Sequence, residues 1–89
     1  DCGIVVNPDG LRNQMEGGVA FALQQALKGE ITIQNSRVIQ DGFNGFELLR
    51  FNEMPPVEIY TVASEEEPGG VGEVGFPTVA PALCNALAA

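Results

Sequence analysis

Two short stretches hold the side chains that could do chemistry. Residues 68–77 read Pro68-Gly69-Gly70-Val71-Gly72-Glu73-Val74-Gly75-Phe76-Pro77, four glycines around one acid. Glycine lets other groups come close to the main chain and reaches positive φ. A carboxylate set among glycines is therefore either on a tight turn or at a place where a ligand approaches. Glu73 is the candidate proton acceptor. Composition alone favours an exposed acidic connector, because Gly- and Pro-rich loops are common. The second stretch is Gln14-Met15-Glu16-Gly17-Gly18. Its Gln14 amide can both donate and accept hydrogen bonds. Helical periodicity by itself places Gln14 and Glu16 on a solvated face.

Other chemistries lack their residues. The chain has no histidine, so neither a Ser/His/Asp nor a Cys/His set can be built. No Lys-Ser/Thr follows the glycines, as a phosphate-binding P-loop requires. Cys2 and Cys84 lie far apart with no CxxC pair, which argues against a zinc or iron–sulfur site built from this chain. Free, buried thiols are expected.

The 89 residues allow one small domain, 1–89, with a modest core. Hydrophobic residues make up 45%, as in globular proteins rather than disordered ones. A formal net charge of −8 argues against nucleic acid and anionic membranes as partners, since both need basic patches. No apolar run approaches the ~20 residues of a membrane span. The chain opens on Asp1-Cys2-Gly3 directly before Ile4-Val5-Val6 and stops inside a helical pattern, so a piece of a longer protein is expected.

The elements that must position Glu73 and Gln14 follow from patterning. Gly3–Val6 is β-branched and predicts a short buried strand. Asn7-Pro8 marks a helix start, with Asn as N-cap and Pro at the first helical position. Leu11, Met15, Val19, Ala22, Leu23, Ala26 and Leu27 recur at spacings of three and four, one apolar stripe. Lys28 suits a last turn and Gly29 a C-cap, so the helix is predicted at 8–28. Gly17-Gly18 interrupts it at a cost of roughly 1 kcal/mol per glycine, which suggests that something packs closely there.

Glu30–Gln40 predicts a hairpin turning at Asn35-Ser36. Asp41–Asn52 is expected to be an extended segment crossing the hairpin. Val57–Val62 alternates as a strand. Thr78 is expected to cap a final helix whose apolar face is Val79, Leu83, Ala86 and Leu87, with Pro81 tolerated in the first turn. The order predicts an α+β fold, two helices packed on a mainly antiparallel sheet.

Taken together, Asp1-Cys2-Gly3, Val6-Asn7-Pro8, Gln14-Met15-Glu16-Gly17-Gly18, Arg50-Phe51-Asn52-Glu53-Met54-Pro55 and Gly69-Gly70-Val71-Gly72-Glu73-Val74-Gly75 come in an order that resembles the molybdenum hydroxylases. This is the xanthine dehydrogenase/aldehyde oxidase family. The resemblance is to the molybdenum-binding large subunit, of the isoquinoline 1-oxidoreductase β-subunit type, near its C-terminal end. It covers essentially the whole chain and implies part of a larger molybdopterin-binding domain.

The implied cofactor is molybdenum on a pterin dithiolene, in the parent enzyme but not in the isolated chain. The implied reaction is oxidation of an N-heterocycle or an aldehyde with oxygen from water. The family's Gly-x-Gly-Glu-x-Gly glutamate, which takes the proton from the metal-bound hydroxyl, corresponds to Glu73, with Gly72 beside the cofactor. The glutamine of its Gln-x-Glu-Gly motif, which lies against the pterin, corresponds to Gln14. No residue is implied as a direct metal ligand. Implied partners are the rest of the large subunit, an iron–sulfur subunit or domain, and a small-molecule substrate. Many relatives read Gly-Glu-Pro-Gly where this chain has Gly72-Glu73-Val74-Gly75, so a less rigid loop is expected. The alternative reading is a small acidic binding or structural domain without catalysis.

Overall fold

A computed structural model describes all 89 residues. Its backbone is a long helix, a short hairpin, a strap and a second helix: α1 (Pro8–Lys28), β1 (Ile33–Gln34), β2 (Arg37–Val38), one 3-10 turn (Phe51–Glu53) and α2 (Val79–Ala88). The α+β class holds, with two helices and a two-stranded antiparallel sheet. The packing differs from expectation. The helices contact each other, and the hairpin contacts neither.

α1 begins and ends where its signals lie. The Gly10 N–H donates to the Asn7 side chain at 2.9 Å, and Pro8 occupies the first helical position. Gly29 follows with φ −74°, so the helix ends without a left-handed cap. The stripe is covered only in its middle, where Ala22 and Leu23 are buried, while Leu27 is exposed. In α2 the Thr78 side chain makes no cap hydrogen bond, contrary to expectation, because Thr78 already has helical angles (φ −85°, ψ −16°).

Asn35 and Ser36 form the hairpin turn with φ of 50° and 61°, the pair of positive values that a type I′ turn needs. Ile33 pairs with Val38. The ladder is shorter than predicted, although Ile39 N–H to the Thr32 carbonyl (2.9 Å) and Thr32 N–H to the Gln40 side chain (2.8 Å) extend the pairing.

Three expected segments differ. Gly3–Val6 is not a strand, because Gly3 turns to φ +68° and breaks the extended run. Asp41–Asn52 does not cross the hairpin. It turns at Gly42–Phe46 and then runs along α1, held there by Gln24. Val57–Val62 has no partner within the chain and stays irregular, although Val57 and Ile59 are half-buried between exposed neighbours.

The expected modest core is smaller still. Five of 89 residues are buried, and Phe43, Phe51 and Tyr60 lie more than four-fifths exposed. The radius of gyration is 16.5 Å, against roughly 12 Å for a compact domain of this length. Cys2 is half-buried and Cys84 exposed, both free, so neither thiol is buried as expected. No helix is long and apolar enough to cross a membrane.

Candidate functional site

The glycine loop is fastened at both ends. Upstream, Ile4 N–H donates to the Glu66 carbonyl (3.0 Å) and Gly69 N–H to the Cys2 carbonyl (2.8 Å). Gly3 allows this approach, since a Cβ there would lie 2.1 Å from the Glu67 carbonyl oxygen. The Gly3 N–H donates in turn to the Asp1 carboxylate at 2.9 Å, steadying that end. Downstream, buried Gly75 lies on α1. A Cβ on Gly75 would come within 3.3 Å of Met15 Cε and 3.5 Å of the Met15 carbonyl oxygen. The Phe76 ring meets Phe21 with centroids 5.5 Å apart at 39°.

Between these anchors the loop turns, and Glu73 stands over α1. A cleft of about 460 Å³ opens there, lined by Gln14, Gly17, Gly18 and Phe21 from α1 and by Gly72, Glu73 and Phe76 from the loop. The structure thus brings Gln14, Gly72 and Glu73 to one cleft from distant parts of the chain. Both polar side chains are exposed, and the Glu73 carboxylate joins neither of the chain's two ion pairs.

The glycine pair divides its work. Gly18 is where the loop comes close, with a Cβ meeting the Phe76 nitrogen at 3.8 Å. Gly17 meets nothing within 4 Å, and neither does Gly72. No internal contact explains their lack of a side chain. They leave bare backbone facing open space.

A second cleft, about 880 Å³, adjoins the first along α1 and shares Gly17 and Phe21 with it. Its walls are Leu48, Leu49, Phe51, Met54 and Pro55, with Asn13 and Glu16 at its edge. The strap that forms these walls is tied down by Gln24, which sequence reasoning missed. Buried Gln24 donates to the Glu47 carbonyl at 2.8 Å and accepts from the Leu49 N–H, as a neighbouring strand would.

Lys28 adds ion pairs to Glu47 (2.7 Å) and Glu53 (2.8 Å). Its hydrogen bonds to Glu47 and then Glu53 raise its pKa, while the Lys28 hydrogen bond, followed by the Arg50 N–H, lowers that of Glu53. No sequence pattern marks Gln24. Phe21 did carry a signal, being a large aromatic off the main stripe, one turn beyond the glycines.

The molybdopterin cofactor-binding domain family matches residues 1–55, more than half of the chain. The chain belongs to this family. Its relatives are molybdenum hydroxylases and related oxidoreductases. It is 32% identical over 88 residues to a nicotinate dehydrogenase subunit of Pseudomonas putida, covering 98% of this chain and 7% of that protein. It is 31% identical over 88 residues to the beta subunit of isoquinoline 1-oxidoreductase of Brevundimonas diminuta, covering 99% of this chain and 11% of the relative. It is 36% identical over 87 residues to a membrane-bound pyrroloquinoline-quinone aldehyde dehydrogenase of Gluconacetobacter polyoxogenes, covering 98% and 11%. The chain thus spans about a tenth of the length of these relatives. No solved structure matches it.

The residues present fit one side of a molybdopterin. Gly17 and Gly72 provide a cradle that any Cβ would narrow, and Gln14 and Glu73 supply an amide and a carboxylate at its edge. No group of three or more His, Cys, Asp or Glu side chains is placed to hold a metal directly.

Proposed function

We propose that this chain forms one wall of the cofactor pocket in the catalytic subunit of a molybdenum hydroxylase. Glu73 acts there as general base and Gln14 as a hydrogen-bonding contact to the cofactor. The observation that carries this reading is the meeting of Gln14 and Glu73 over the bare backbone of Gly17 and Gly72 in one cleft. When bound, the molybdenum cofactor supplies a centre for two-electron oxidation of substrate.

The chain's own residues do the rest. Glu73 accepts a proton at its carboxylate, and a well-placed base contributes about 10²–10⁴ in rate. The Gln14 amide donates or accepts as its neighbour requires. Gly72 beside Glu73 keeps the approach free of side chains. The parent substrate is an N-heterocycle or an aldehyde, in line with the nicotinate, isoquinoline and aldehyde in the relatives' names.

Two of these relatives are themselves named as subunits, which supports further chains as partners, and we include an iron–sulfur subunit or domain among them. Residues 1–89 act as one unit of the larger cofactor-binding domain. In isolation they hold no cofactor stably and catalyse nothing, since only one wall of a pocket is present.

Glu73→Gln in the complete enzyme tests this reading. The side chain keeps its size and most of its hydrogen bonding but cannot accept the proton. Turnover should fall by at least ~10²–10⁴ with molybdenum content near wild type, and kcat/KM should lose its acidic limb. A variant with wild-type rate and full molybdenum sinks the base assignment and leaves family membership intact.

A further inference from the structure

Glu73 stands at one end of a short turn, and something must fix the direction in which that turn faces. The Phe76 N–H donates to the Glu73 carbonyl at 3.2 Å, so Glu73 and Phe76 are the two ends of one hydrogen-bonded turn. The Phe76 end is seated. Its ring lies against Phe21 with centroids 5.5 Å apart. Its nitrogen would be 3.8 Å from a Cβ on Gly18, and Gly75 just before it rests on Met15. The Glu73 end has no such hold. Its side chain is exposed, and the space beside Gly72 is open. Gln14, on the same helix face, is one turn before Gly18.

We propose that Phe76, seated on Phe21, is a positioning residue that sets where the Glu73 carboxylate stands relative to Gln14. The proposal rests on the reading of Glu73 as a base. The backbone hydrogen bond makes the turn a short rigid arm, and the ring pair is its pivot. Val74 lies within the arm where a proline would stiffen it, so the arm's direction depends on the pivot more than on the loop's own backbone. Loss of either ring lets the arm rock on the glycines that flank it. A misplacement of ~1 Å at a reacting group costs about 10²-fold.

The test uses the complete molybdenum enzyme with Phe76→Ala, Phe21→Ala, the double variant, Phe76→Leu and Glu73→Gln. Each single alanine should lower kcat by about tenfold to hundredfold, with molybdenum content and KM unchanged. The double variant should be no slower than the slower single one, because both remove the same contact. The acidic limb of kcat/KM should persist, since the base is present and only misaimed. Phe76→Leu, which keeps an apolar anchor, should recover part of the rate.

Independently of activity, a peptide spanning residues 69–79 should exchange its amide hydrogens faster in both alanine variants. Wild-type kcat and unchanged exchange in Phe76→Ala, beside an inactive Glu73→Gln, overturn the positioning role and leave the base reading standing. Fully additive losses also overturn it, because the rings would then act separately. Should Phe76→Ala lose its molybdenum, Phe21→Ala decides: wild-type kcat there overturns the proposal, and a lowered kcat with full metal supports it. An active Glu73→Gln removes the base, and with it anything to position.

Discussion

Two neighbouring faces of α1 hold their partners by opposite means. On one, Met15, Gly18 and Phe21 grip Gly75-Phe76 through close van der Waals contact and a ring pair. On the other, Gln24 and Lys28 hold the strap at 47–53 through hydrogen bonds and ion pairs. The polar groups near the loop, Gln14 and Glu73, take no part in fastening it and stay open to the cleft. The polar groups near the strap are consumed in fastening. That division separates a face with free functional groups from a face built for attachment.

The comparison breaks most sharply at its two acids. Glu73→Gln and Glu16→Gln make the same chemical change in the two adjoining clefts. In the complete enzyme the first should cost at least ~10²–10⁴ in kcat/KM. The second, at the edge of the apolar cleft, should leave rate and molybdenum content as in wild type. Equal effects would erase the distinction between the two faces.

A smaller loss is expected from Gln14→Ala. One neutral hydrogen bond is worth about 1 kcal/mol, so the rate should fall by about tenfold at most, with partial loss of cofactor. Rates that match wild type would return Gln14 to a merely solvated position.

The strap is tested by Gln24→Leu. The Glu47 carbonyl and the Leu49 N–H lose their partner, and since both bonds are only part-buried the loss is about 0.5–1.5 kcal/mol each. Denaturant unfolding of the subunit should show that loss, and trypsin should cut faster after Arg50. Molybdenum bound per folded protein should not change.

The smallest effect is electrostatic. The folded-state pKa of Lys28 is raised above 10.5, so its contribution is complete below that value and fades as pH rises above it. The folded-state pKa of Glu53 is lowered below 4.5, so its contribution is complete above that value and fades as pH falls below it. Strap protection from trypsin should be flat between these limits at low salt. Lys28→Met should flatten the alkaline fall. High salt should weaken the protection, because both acids are solvent-exposed.

What could be read from the sequence was whatever local chemistry decides. Asn7-Pro8 set the start of α1 because an N-cap acts within one turn, and the helix stops at Lys28, as the sequence marked, though Gly29 makes no left-handed cap. Asn35-Ser36 set the hairpin because both residues accept positive φ. Gln14 and Glu73 stood out as polar groups beside glycines, and the fold brings them together.

What escaped was long-range. Gln24 reaches a strap more than twenty residues away, and nothing local distinguishes it from Gln25. Ile4-Val5-Val6 has strand-like side chains, but Gly3 before them turns the chain to make room for Glu67. Val57–Val62 has strand alternation and no partner within the chain. The glycine pair announced a close approach without saying that Gly18 receives it and Gly17 stays bare.

The loop's seat on α1 also fixes an order of events in time. Helix α1 and the hairpin rest on local contacts, which form within microseconds. Gly75 reaches Met15 only after all the residues between them have been made. Ribosomes add roughly 5–20 residues per second, so Gln14 is in place for seconds before Glu73 is made. Half of the cleft therefore waits on a preformed helix for the other half. A stalled or shortened product ending before residue 73 would present a finished helix and a bare Gly17 with no acid opposite.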